Sequence, residues 1–142
     1  MMRFIFSSLT LACILLVGCG QPAQPSTNSS LDQKQTERVA GAAAYAIGGT
    51  VCRIADTGSM EPVLNGNSYV VIEKCTVKDV GLGDIVAFTQ SDGRHIVHRV
   101  IETGTELRTR GDANNYTDAE AVTSSNIMGR VVVIVYGKKP TN

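Results

Sequence analysis

Apolar and polar positions divide the chain into stretches of different period. Residues 9–17 are almost continuously apolar, and residues 20–30 (GQPAQPSTNSS) are polar with two prolines and little to bury, the composition of a flexible spacer. Residues 31–38 are charged and lead into the small-residue run Val39-Ala40-Gly41-Ala42-Ala43-Ala44-Tyr45-Ala46-Ile47. Alanine favours a helix there, and Gly41, Gly48 and Gly49 limit its length. Beyond Gly49 the period changes. Runs rich in Val, Ile and Thr at 50–55, 68–73, 85–89, 95–102, 106–110 and 127–136 predict strands. Between them lie Gly66-Asn67, Gly81-Leu82-Gly83, Asp92-Gly93, Thr103-Gly104 and the 111–115 stretch, all of it turn chemistry. The pattern predicts a mainly β domain over 50–137, preceded by a helical, small-residue lead-in over 31–49 and followed by a tail at 138–142.

Composition narrows the class. With 142 residues, 43% of them hydrophobic, the chain supports one modest core. Thirteen basic residues balance thirteen acidic ones, which removes the electrostatic case for nucleic-acid binding. Aromatics at 5% and the lack of Trp argue against a stacking platform for bases. At the N-terminus Arg3 precedes the apolar run, which falls short of the roughly 20 residues a bilayer span requires. A charged start, a short apolar stretch and small residues at its end describe an export signal. Its last four residues, Leu16-Val17-Gly18-Cys19, resemble the bacterial lipobox. That resemblance implies removal of residues 1–18 and lipid on Cys19, with 19–30 as the spacer. Several acyl chains at about 0.8 kcal/mol per buried CH₂ make a stable anchor. The expected location is the cell envelope, on the extracytoplasmic side of a bacterial membrane.

Export changes the reading of the cysteines. Cys13 leaves with the signal and Cys19 carries lipid, so Cys52 and Cys75 remain, in a compartment where disulfides persist. A bridge between them closes a loop of roughly 20 residues, worth about 3 kcal/mol in the chain-entropy model. The alternative is two buried thiols. Without a CxxC pair, neither zinc nor redox chemistry is indicated.

Candidate chemistry begins at Thr57-Gly58-Ser59-Met60-Glu61-Pro62. A serine between Gly and a nearby Pro sits on a forced turn, where its hydroxyl is presented beside backbone N–H groups. Serine requires a base, and the chain has two histidines, both in Arg94-His95-Ile96-Val97-His98-Arg99-Val100. On a strand Ile96, His98 and Val100 share one face and His95, Val97 and Arg99 the other. The two imidazoles therefore do not converge on one metal, and His98 is the one beside the core. Next comes Arg110-Gly111-Asp112-Ala113-Asn114-Asn115-Tyr116-Thr117-Asp118, a glycine turn with two carboxylates, either of which could orient an imidazole. Its oxygen spacing lacks the pattern of a calcium loop. No metal and no cofactor are expected.

Taken together, Gly58-Ser59-Met60-Glu61-Pro62, Gly83-Asp84-Ile85-Val86-Ala87-Phe88, Val97-His98-Arg99-Val100 and Gly111-Asp112-Ala113-Asn114 with Asp118 resemble the type I signal peptidases. These belong to the wider LexA/signal-peptidase superfamily of serine peptidases. Most bacterial members place Lys where this chain has His98, and histidine there resembles the endoplasmic-reticulum, archaeal and sporulation-type branch. The resemblance implies a small antiparallel β-barrel-type domain. It assigns Ser59 as nucleophile, His98 as general base and Asp118 as the acidic third member, with Asp112 nearby in support. The Ser59 N–H would form an oxyanion hole with the Thr57 hydroxyl. The implied activity is a serine endopeptidase that cleaves signal peptides or exported proteins, with the membrane reached through Cys19. Two alternatives stay open, a non-catalytic envelope lipoprotein that keeps the fold as a binding module and a self-cleaving LexA-type relative. Ala42-Ala43-Ala44 and Ala44-Tyr45-Ala46 carry the small-x-small spacing that such an enzyme cuts after. Oligomeric state stays open.

Overall fold

A computed structural model describes residues 29–138. The proposed signal, Cys19 and most of the spacer lie outside the described residues, as do 139–142. One helix, α1 (Gln33–Ile47), precedes six strands: β1 (Thr50–Arg53), β2 (Tyr69–Glu73), β3 (Ile85–Thr89), β4 (His95–Glu102), β5 (Arg108–Arg110) and β6 (Ile127–Val135). They form one antiparallel sheet in the order β1-β2-β6-β3-β4-β5, with β1 and β5 at its ends. The mainly β expectation holds, and each predicted strand is present within one to two residues at its ends.

α1 starts where side-chain chemistry can satisfy its free N–H groups. The Gln35 N–H donates to Asp32 Oδ1 at 2.8 Å, and the Asp32 N–H donates to Gln35 Oε1 at 2.9 Å, a reciprocal capping box. It ends at Gly48, whose φ of 69° is the left-handed conformation that glycine adopts without a Cβ penalty. Ala40 is buried against Tyr69 and Val135 of the sheet, and Ala44 is buried one turn further on, because small side chains let the helix axis approach the strands. The Ala42–Ala46 stretch is thus helical, with Ala44 buried. Among the described residues no helix is long and apolar enough to cross a membrane.

β3 explains why its sequence is continuously apolar rather than alternating. Val86 and Phe88 enter a cluster with Val77, Val80, Val100, Leu107 and Val122 on one face. Ile85 and Ala87 enter another with Met60, Leu64, Val70 and Ile72 on the opposite face. A strand buried on both faces needs no polar positions. β4, bordering the site, alternates as predicted: Ile96 and Val100 pack on the first cluster and Val97 on the second.

The two faces also decide the cysteine question. Cys52 and Cys75 are free thiols, so the expected bridge is not made. Cys52 stands opposite Val70 in the β1–β2 register, and Cys75 lies five residues further along, past the end of β2. At about 3.3 Å per residue that is on the order of 15 Å, against the roughly 7 Å that a disulfide permits between Cα atoms. Cys52 packs on the second cluster and Cys75 on the first. Burial pushes both thiols up from their ordinary value, at Cys75 against the pull of Arg130. Alkylation of the unreduced, denatured protein is expected to label both residues in peptide mass spectra. A Cys52–Cys75 cross-linked peptide would contradict this register.

Candidate active site

Ser59 is held by its neighbours rather than by a strand. Gly58 takes a φ of 73°, turning the chain sharply, and the buried Met60 and Leu64 anchor the following turn in the core. The Leu64 N–H donates to the Met60 carbonyl at 2.8 Å and the Glu61 N–H to Gly58 at 3.1 Å. The Ser59 side chain is thereby left at the surface of a well-anchored turn. Hydrophobic burial fixes a polar group, which is what a presented hydroxyl requires.

His98 meets it from β4. Its Nε2 lies 3.1 Å from Ser59 Oγ, and its Nδ1 lies 2.7 Å from Asp118 Oδ2. The His98 and Asp118 side chains are only 10% and 6% exposed, so water competes little for the bond between them. A carboxylate only accepts. Against an ionised Asp118, Nδ1 is the donor, and in the neutral ring Nε2 is then the acceptor for the Ser59 hydroxyl. This is the tautomer a general base needs.

Strand register explains the gap into which Ser59 fits. Arg99 pairs with Arg110 across β4 and β5, so the residue facing His98 on the neighbouring segment is Gly111. A Cβ there would sit 3.0 Å from His98 Nε2 and against the Ser59 carbonyl. The missing side chain is the space the serine turn occupies. The Ala113 N–H donates to the Ser59 carbonyl at 2.9 Å, and the Asp118 N–H to the Thr109 carbonyl at 2.9 Å. The 111–118 loop thus closes over both the nucleophile candidate and the carboxylate.

The two aspartates separate. Asp118 is on the imidazole, whereas both oxygens of Asp112 accept from Arg99, Nε at 2.7 Å and Nη2 at 2.6 Å. Arg99 follows His98 on β4, so alternation sends its side chain to the other face, and its planar fork fits a carboxylate edge. Asp112 is therefore not brought to the His98 ring. The pair, with Arg99 Nη1 donating to the Gly83 carbonyl at 2.8 Å, ties the loop to the turn before β3. Asp112 in return raises the Arg99 guanidinium above its ordinary value. His95, three residues before His98 and exposed, bonds instead with Thr89 Oγ1 at 3.1 Å through Nδ1.

Thr57 Oγ1 lies 3.2 Å from Ser59 Oγ, and the Ser59 N–H makes a long 3.5 Å bond to it. One N–H and one hydroxyl thus stand beside the serine. A cleft of about 280 Å³ opens there, between the 52–59 rim and residues 95–98, with Met60, Leu64, Ala87 and Met128 on its walls. The groove is largely apolar and ends at the Ser59–His98 pair. Thr109, not singled out by the motifs, donates from Oγ1 to Asp118 Oδ2 at 2.7 Å. The signal for it is register: it pairs with Val100, two residues from His98 on the same face.

No protein-family model matches the chain. It is 30% identical over 77 residues to a protein named signal peptidase I W from Bacillus subtilis (strain 168), covering 50% of this chain and 40% of that relative. The chain therefore spans less than half the length of this relative. The similarity to a protein named as a signal peptidase is thus partial.

Proposed function

We propose that this chain is a serine endopeptidase of signal-peptidase type, held at a bacterial membrane by lipid on Cys19, which cuts exported polypeptides or their signal peptides. The continuous bond sequence Ser59–His98–Asp118 carries the reading. In the mechanism, the Ser59 oxygen attacks the peptide carbonyl carbon as His98 Nε2 takes its proton, and the carbonyl π electrons move onto oxygen. The Ser59 N–H and Thr57 hydroxyl receive that oxyanion; a donor of this kind is typically worth 10²–10³ in rate. His98 then returns the proton to the leaving amine, and water, activated by the same imidazole, releases the acyl-enzyme. Asp118 keeps the imidazolium oriented and does not itself take the proton. The similarity to a protein named signal peptidase supports peptide substrates of this class.

The test is cleavage by the purified full chain, in detergent, of a fluorogenic peptide with Ala one and three positions before the cut. Metabolic labelling with a radioactive fatty acid, comparing wild type with Cys19→Ser, tests the anchor separately. Turnover that is unchanged by Ser59→Ala would sink the peptidase reading, and equal labelling of both forms would sink the lipid on Cys19.

A further inference from the structure

Thr109 is fully buried on β5, and it holds Asp118 at two points. The Asp118 N–H donates to the Thr109 carbonyl at 2.9 Å, and the Thr109 hydroxyl donates to Asp118 Oδ2 at 2.7 Å. That oxygen is the one that accepts from His98 Nδ1. The carboxylate oxygen facing the imidazole thus has two donors, one from each of two neighbouring strands. Sheet register makes this possible. Thr109 stands opposite Val100, and His98 lies two residues earlier on the same face of β4. Asp118 reaches into the angle between them from the end of the 111–118 loop. A hydroxyl buried away from water, with a carboxylate at 2.7 Å, makes a short charge-assisted bond.

We propose that Thr109 is a positioning residue for the reaction, acting through Asp118. The inference rests on the Ser59–His98 peptidase reading. Without the second donor, the Asp118 carboxylate can rotate about its terminal torsion, which is soft, and turn Oδ2 away from Nδ1. His98 then loses its tautomer and its aim at Ser59. During attack the Ser59 proton moves to Nε2, the new C–O bond forms, and the positive charge appears on the ring. Thr109 keeps the countercharge beside that ring, and no proton passes to Asp118. Backbone pairing alone does not supply this, because the Thr109 carbonyl fixes only the Asp118 main chain.

The experiment measures kcat and KM for the full chain with the Ala-containing fluorogenic peptide, alongside the far-downfield proton resonance of a hydrogen-bonded His98 Nδ1–H. Thr109→Val keeps the shape and removes the donor. It should lower kcat about 10- to 100-fold, the range of a lost hydrogen bond to a charged group, with KM within about twofold. The resonance should broaden by faster exchange with water. Thr109→Ser, which restores the hydroxyl, should return kcat to within a few-fold of wild type. In an Asp118→Asn background, Thr109→Val should cost nothing further, because the partner through which it acts is gone. A kcat unchanged in Thr109→Val, a Thr109→Ser as slow as Thr109→Val, or full additivity with Asp118→Asn would each overturn the role. If wild type shows neither turnover nor the downfield resonance, the triad itself fails and the role of Thr109 with it. Turnover and resonance present in wild type but indifferent to Thr109 remove this inference alone.

Discussion

Ser59→Ala is expected to reduce peptide turnover by about 10⁴- to 10⁶-fold, and His98→Ala by a similar factor, with the double variant little worse than either. The reason is that the two side chains act as one device. At 3.1 Å the hydroxyl is activated only through Nε2, so removing the base disables the nucleophile as fully as deleting it. Asp118→Asn should fall less far, about 10⁴-fold, because an amide can still contact Nδ1 but favours the wrong tautomer. Asp112→Asn is predicted to differ from all of these. Its carboxylate pairs with Arg99 and not with the imidazole, so its loss should act through the loop anchored at Gly83, lowering thermal stability more than the chemical step. Rates and melting temperatures for the four single variants side by side check the assignment. An Asp112→Asn enzyme as inactive as Ser59→Ala, and as well folded as wild type, would reassign the third member.

Gly111→Ala should also impair turnover, although it removes no functional group. The added Cβ would lie 3.0 Å from His98 Nε2 and press on the Ser59 carbonyl, which is backbone and has no side-chain freedom with which to yield. Gly111 is buried in the turn that carries the Ala113 N–H to that same carbonyl. Relief therefore requires the loop to lift away from the serine turn, opening the Ser59–His98 distance. A displacement of about 1 Å in a reacting pair costs on the order of 10²-fold, so kcat/KM is expected to fall about 100-fold. Overpacking of this kind typically costs 1–3 kcal/mol of stability, enough to lower the melting temperature while leaving a cooperative unfolding transition. Near-normal kinetics in Gly111→Ala would mean that the loop is not seated against Ser59.

Much of this architecture could be read from the chain. Strand positions follow from runs of β-branched residues bounded by glycine turns, and α1 from an alanine run between an Asp32 cap and Gly48. Both are local, because neighbouring residues set the backbone preference and the period. His98 separates from His95 by the same logic, since period-two alternation puts one imidazole toward the core and the other toward solvent. Ser59 was reachable through its Gly-Ser-x-x-Pro turn, and Asp118 only through the family resemblance, with Asp112 left beside it.

What stayed hidden depends on which strands lie side by side. Two aspartates six residues apart look equivalent in a loop. Only the placement of Arg99 on the opposite face of β4 from His98 gives one of them to the guanidinium and leaves the other for the ring. The two cysteines look like a pair because both would be exported, yet β1–β2 register sets them far apart and the sheet puts them in different cores. Thr109 reads as an ordinary strand residue until β5 is laid against β4. Gly111 reads as a turn glycine until the residue opposite it proves to be His98. The sequence by itself determined the elements and which residues face inward, because those are set over a few bonds by backbone sterics and side-chain period. Only the tertiary structure decided the partners, because sheet order and register bring together groups as far apart in the chain as Ser59 and His98, and the energy of a buried hydrogen bond depends on which one arrives.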